Sequence, residues 1–139
     1  YAFTETRYPG VPDLNIIGID HDPFIVGDIN VQPIQVMHHK MAVLGFRMGD
    51  FTYITDANYI EPQEQEKIKG SKVLVLNALR KEKHLSHFTL AEAIELANRL
   101  EIPRVYLTHI SHQLGTHTAV SHELPANISL AYDGLQISL

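Results

Sequence analysis

Histidine and aspartate bind divalent cations and move protons near neutral pH, and here they recur where apolar stretches run out. His38 and His39 follow the alternating run 29–37. Asp56 follows Phe51-Thr52-Tyr53-Ile54-Thr55, and His109 follows Val105-Tyr106-Leu107-Thr108. Imidazole and carboxylate are ligands for zinc and also suit manganese or iron. The residues lie far apart in sequence, so only the fold could assemble them. A carboxylate such as Asp56 could bridge two cations, as a site with ions ~3.5–4 Å apart requires; the plainer reading of Asp56 is a turn residue. Adjacent strand residues point to opposite faces, so only one of His38 and His39 is expected to face such a site. His87 lies in Ser86-His87-Phe88-Thr89, at the mouth of a predicted helix, and His112 follows three residues after His109. Each of these two reads equally well as a loop histidine.

The elements that must position these residues are legible in the patterning. Strands are predicted at 24–26, 29–37, 43–48, 51–55, 72–79 and 104–108, with a β-leaning stretch at 14–19. Gly49-Asp50 is a two-residue hairpin signal. The phase of apolar alternation slips at Pro33, which predicts an edge position or a bulge there. A helix is expected over 62–69, with proline in its first turn and Gly70 as its stop. Thr89-Leu90-Ala91-Glu92 is a capping box that opens a second helix running to about residue 100. A short helix is expected within 115–124, and a last hairpin, strands 127–132 and 135–138, around Asp133-Gly134. The prolines and glycine of 8–12 predict a loop near the start. Strands come first as a meander and then alternate with helices, a mixed α/β pattern.

Composition narrows the function classes. The chain has 139 residues, 45% hydrophobic, with net charge −5 when histidine is neutral. That is one domain at most, and it gives no broad nucleic-acid footprint. With no cysteine there is no disulfide framework and no thiolate metal site. No apolar run approaches the ~18–20 residues that span a membrane. A cytoplasmic location is the expectation. Nine histidines stand against eleven lysines and arginines. His21, His84, His117 and His122 are expected on the exposed surface. Arg80, Lys81 and Lys83 could hold a phosphate or form a solvated loop.

Three segments carry a resemblance. Val36-Met37-His38-His39-Lys40 with Leu44-Gly45-Phe46-Arg47, then Tyr53-Ile54-Thr55-Asp56, then Leu107-Thr108-His109-Ile110-Ser111-His112 occur in this order. Together they resemble the second half of the metallo-β-lactamase-fold hydrolases, in the branch containing the cyclic phosphodiesterase of the carbon–phosphorus lyase pathway. The tRNA 3′-end-processing nucleases are more distant relatives. The likeness covers residues 8–139. It implies an α/β fold, half of an αββα sandwich, with a mixed β-sheet and flanking helices. It also implies His38, Asp56 and His109 as metal ligands, with Asp56 bridging two divalent ions, zinc or manganese. His87 would contact substrate or donate a proton to the leaving group. His39 would be solvent-facing or stand behind the ligands, and His112 would contact substrate or orient a ligand.

The expected activity is hydrolysis of a small phosphodiester by water activated on the metals. The alternatives are hydrolysis of a thioester, lactone or lactam, or a non-catalytic scaffold. The family's His-x-His-x-Asp-His stretch is absent, and Asp20-His21-Asp22 is only a faint echo of it. Residues 1–139 are therefore expected to be the carboxyl-terminal portion of a longer hydrolase domain. The chain alone would be inactive, and the two ions of the full-length protein need not be bound to it alone. Its expected partners are the missing amino-terminal half and a second copy in a homodimer.

Overall fold

Three two-residue turns build the first half of the sheet. Gly27-Asp28 joins β1 (Phe24–Val26) to β2 (Ile29–His38), His39-Lys40 joins β2 to β3 (Met41–Met48), and Gly49-Asp50 joins β3 to β4 (Phe51–Ile54). Gly27, His39 and Gly49 have φ of 63°, 58° and 57°. Such left-handed residues give a tight hairpin the twist its strands require. The computed structural model describes residues 15–139, so the proline-rich loop expected near the start, and Leu14, lie outside the described residues.

From β4 onward the strands run parallel, with helices in the connections. α1 (Pro62–Ile68) leads to β5 (Val73–Asn77), α2 (Leu90–Arg99) to β6 (Arg104–Thr108), and α3 (His117–Ser121) to β7 (Ile128–Leu130). Spatial order follows chain order across all seven strands. Antiparallel pairing of β2 with β3 and β3 with β4 leaves β2 and β4 parallel. The carboxyl ends of β2, β4, β5, β6 and β7 therefore share one edge of the sheet, where ligands collect in α/β folds.

The register separates the two faces. Ile34, Ile54, Leu74, Leu76, Val105, Leu107, Ile128 and Leu130 lie on one face and are buried with Ile68, Leu90, Ala93, Leu96 and Ala97 from the helices. Gly45 lies in this layer, and a Cβ there would stand 2.6 Å from Ile54 Cγ1. On the opposite face Phe24, Phe46, Met48, Phe51 and Tyr106 are only half-buried and Tyr53 is 41% exposed. One face is thus a helix-covered core, and the other carries an aromatic band with no helix layer among the described residues. Sheet and helices together match roughly half of a metallo-β-lactamase fold.

Most predicted elements form, with shifted ends. The capping box is complete: Thr89 Oγ1 accepts from Glu92 N–H, and the Glu92 carboxylate accepts from Thr89 N–H. α1 lacks a side-chain cap at its start, but its carboxyl end is held by Arg47, whose guanidinium donates to the carbonyls of Lys67 and Lys69. Around Pro33 the β2–β3 ladder runs without a bulge. β1 pairs only as far as Val31, so Pro33 lies beyond its reach and its missing N–H costs no ladder bond there.

Two expectations fail. Asp133-Gly134 does turn, with Leu135 N–H donating to the Tyr132 carbonyl and Gly134 at φ 87°, but no strand follows. β7 is three residues long and, among the described residues, pairs only with β6. Residues 15–19 form no strand either, and Ile16, Ile17 and Ile19 are exposed.

Candidate metal centre

The shared sheet edge brings four of the predicted side chains together. His38 is the last residue of β2, Asp56 stands two residues after β4, His87 lies in the loop between β5 and α2, and His109 directly follows β6. His87 Nε2 is 2.9 Å and His109 Nε2 3.1 Å from the same oxygen, Asp56 Oδ1. His38, Asp56 and His87 each offer a ligand atom, all within 4.8 Å of one another. The His87 ring stacks on His109 at 4.7 Å and meets the His38 ring edge-on at 4.9 Å.

The backbone builds this cluster through the segment Ala57-Asn58-Tyr59. Ala57 N–H donates to Asn77 Oδ1 and the Ala57 carbonyl accepts from Asn77 Nδ2, both at 2.9 Å, so the buried amide at the end of β5 copies a strand neighbour. The same carbonyl accepts Phe88 N–H at 2.7 Å, which fixes the residue after His87. Asn58 and Tyr59 bridge to Met37, and Asn58 Oδ1 accepts His39 N–H, which fixes the end of β2 on either side of His38. His109 is held between two anchors: Ala78 N–H donates to the Thr108 carbonyl and Ser111 N–H to the Leu79 carbonyl. Asp56 and His109 have φ of 54° and 57°. Backbone strain of this kind, about 1–3 kcal/mol per residue, persists where surrounding contacts over-determine it and clusters at functional sites.

The electrostatics suit a cation. The hydrogen bond from His87 holds the Asp56 carboxyl below the usual carboxylate range; burial opposes this, and the nearby charges of His109, His87 and His38 add to the lowering. Asp56 is therefore anionic at neutral pH. A tetrahedral zinc with ~2.0–2.2 Å bonds sets ligand atoms about 3.3–3.6 Å apart. The two histidine–aspartate contacts, 2.9 and 3.1 Å, have hydrogen-bond length. Imidazole nitrogens converging on one carboxylate are a donor set that fits zinc or manganese.

The remaining candidates lie outside the cluster. His39 is exposed in its turn and contributes its backbone N–H; His112 is exposed at the start of a short 3₁₀ turn (His112–Leu114). His21, His117 and His122 are exposed as expected. The basic run is used structurally: Arg80 donates to Gln113 and to the carbonyls of Glu82 and Lys83, while Lys81 and Lys83 pair with Glu123 and Glu92. His84, expected on the surface, instead lies half-buried with Nδ1 2.9 Å from His87 Nδ1. Burial and the charges of His87, Arg80 and His38 push its pKa down. The only hint in the sequence is the three-residue spacing His84-Leu85-Ser86-His87. No helix among the described residues is long and apolar enough to cross a membrane.

Known proteins share this arrangement of strands. A diphosphatase of the PhnP family is 34% identical, with a TM-score of 0.85 over 87% of this chain and 47% of its own. The short form of human tRNase Z shares the fold at 20% identity, with a TM-score of 0.65 over 83% of this chain and 44% of its own. An octanoyltransferase of Porphyromonas gingivalis is 35% identical over 138 residues, 98% of this chain but only 28% of that protein. The chain thus spans about half the length of these two solved relatives and less of the octanoyltransferase. Residues 1–110 match the model of the beta-lactamase superfamily domain. A seven-stranded sheet with a histidine–aspartate cluster at its carboxyl edge, joined to that match, places the chain in the metallo-β-lactamase superfamily, a family of hydrolase fold.

Proposed function

We propose that this chain is the carboxyl-terminal portion of a metal-dependent phosphodiesterase and supplies part of its two-metal site. The observation that carries this is the convergence of His38, His87 and His109 on Asp56. The likeness to a diphosphatase of the PhnP family supports hydrolysis at phosphorus, and the phosphodiester follows from the sequence resemblance given above.

In this reading His38, Asp56 and His109 hold the metals, and the remaining ligands come from an amino-terminal half seated on the aromatic face of the sheet. Bound divalent ions lower the pKa of water and neutralise charge on a phosphoryl group. Asp56, anionic and held by its neighbours, would be the carboxylate that this chain supplies to them. His87 holds a proton at Nε2, facing the site, and delivers it to the departing oxygen.

The test uses the intact protein. His87→Ala should leave metal content near that of the wild type and slow an alkyl phosphodiester by ~10²–10⁴-fold, with much less effect on bis-nitrophenyl phosphate. A nitrophenolate leaves without a proton, whereas an alkoxide does not. Equal slowing of both substrates would remove the proton-donor role. Loss of metal would make His87 a ligand, in the trio with His38 and Asp56.

The match to an octanoyltransferase supports a second reading, hydrolysis of an acyl thioester, although most of that protein lies outside the matched segment. Turnover of an octanoyl thioester with no turnover of either diester would favour it.

A further inference from the structure

We propose that a pocket beside the metal centre takes an ammonium group carried by one alcohol of the diester, so that the enzyme selects aminoalkyl phosphodiesters over neutral ones. This rests on the phosphodiesterase reading given above and names a substrate class within it.

The pocket has a volume of about 240 Å³ and is lined by Thr108, His109, Ile110, Ala131, Tyr132 and Asp133. It lies at the carboxyl edge of the sheet, where β6 and β7 end side by side. His109 belongs to both places: Nε2 is 3.1 Å from Asp56 Oδ1, and the same residue lines the pocket. A group bound there stands next to the phosphorus that the metals would hold. Backbone bonds fix the far wall, Ala131 N–H to the Leu107 carbonyl at 2.8 Å and Leu135 N–H to the Tyr132 carbonyl at 3.1 Å. The Asp133-Gly134 turn, which leads into no strand, is thus a rim of this pocket.

Size and lining restrict the ligand. A drug-sized molecule needs ~300–1,000 Å³, so this pocket suits one end group of a substrate. The Asp133 carboxylate repels a phosphoryl anion, and an apolar group would strip its water and return no bond. Among the described residues no lysine, arginine or histidine forms an ion pair with Asp133. The carboxylate is therefore open to a cation brought by the ligand. Beside it the Tyr132 ring is 60% exposed, and His117 steadies it edge-on at 6.4 Å. An aromatic face attracts an ammonium within about 6 Å of the ring centre. A carboxylate and an aromatic ring on adjacent residues, beside a metal ligand, form a receptor for an ammonium group.

The test compares, on the intact protein, three methyl phosphodiesters whose second alcohol is aminoethyl, hydroxyethyl or ethyl. The kcat/KM for the aminoethyl diester should exceed the other two by ~3–30-fold, the range for an exposed ion pair together with an exposed cation–π contact. Asp133→Asn should abolish that preference, and Tyr132→Leu should reduce it. A wild type without the preference, or a preference that persists in Asp133→Asn, would overturn the inference. So would a preference for the hydroxyethyl diester that Asp133→Asn removes, since the pocket would then be a hydroxyl site. A second readout needs no turnover. Ethylammonium chloride should shift the backbone amide resonances of Tyr132 and Asp133 in the wild type and not in Asp133→Asn, and sodium chloride at the same concentration should shift them in neither. No shift with ethylammonium in the wild type would also overturn the inference. If the shifts occur as stated while none of the three diesters is hydrolysed, the ammonium pocket stands and the phosphodiesterase reading is what fails.

Discussion

Asn77→Ala should damage both the stability of the protein and the position of Asp56. Asn77 is fully buried at the end of β5 and forms paired hydrogen bonds with the backbone of Ala57, the residue after Asp56. Truncation removes both bonds, but their consequences differ. The Ala57 carbonyl keeps Phe88 N–H as a donor, whereas Ala57 N–H is left buried with no acceptor. An orphaned buried donor costs about 1–3 kcal/mol, and the lost bond to the carbonyl adds about 0.5–1.5 kcal/mol. The sum, about 1.5–4.5 kcal/mol, would move a urea midpoint by about 0.8–2.3 M at an m value of about 2 kcal/mol/M, with m unchanged. Asn77→Asp sharpens the test. Its second oxygen would face the Ala57 carbonyl, so only the protonated acid fits, and this variant should be less destabilised in mild acid than at neutral pH. Urea titrations followed by circular dichroism at both pH values measure this. A midpoint within error of wild type for Asn77→Ala, or an Asn77→Asp penalty independent of pH, would refute the role assigned to the amide.

Two further outcomes follow from the packing and the cap. Gly45→Ala would place a Cβ 2.6 Å from Ile54 Cγ1 and 3.0 Å from the Tyr53 carbonyl, so thermal melts should show a loss of about 1–3 kcal/mol from overpacking. Burial pushes the Glu92 carboxyl up, but hydrogen bonds from Lys83 and Thr89 and the charge of Lys83 outweigh it and hold its pKa below the usual value. Its contribution to stability is thus present above the unfolded carboxyl pKa and lost as pH falls through the lower folded value. Glu92→Gln should flatten the acid side of the melting curve against pH, and an unchanged acid limb would exclude Glu92 as a contributor.

Much of the site was legible because its residues sit where periodicity breaks. His38, Asp56 and His109 each follow a run with β character, and a parallel arrangement of those runs puts their ends on one edge. The capping box and the Gly49-Asp50 turn are local signals, and both form as read. What failed depends on partners distant in sequence. Asp133-Gly134 has the residues of a hairpin turn, but a turn supplies no buried face for the arm that follows, and β7 finds its partner in β6 instead. Ile16, Ile17 and Ile19 have strand character but pair with no strand among the described residues. Asn77 reads as one more polar residue at a strand end, and His84 as one more surface histidine. Their contacts exist only because Ala57 and His87 come within hydrogen-bond reach.

The central claim is that Asp56 is where the metals meet. Anomalous diffraction at the zinc absorption edge, from crystals of the intact protein grown with zinc, tests it most directly. The account predicts anomalous density within about 2.0–2.2 Å of the Asp56 carboxylate, with the imidazoles of His38 and His109 completing the contacts from this chain. Zinc bound at full occupancy elsewhere, with none in reach of Asp56, would contradict it.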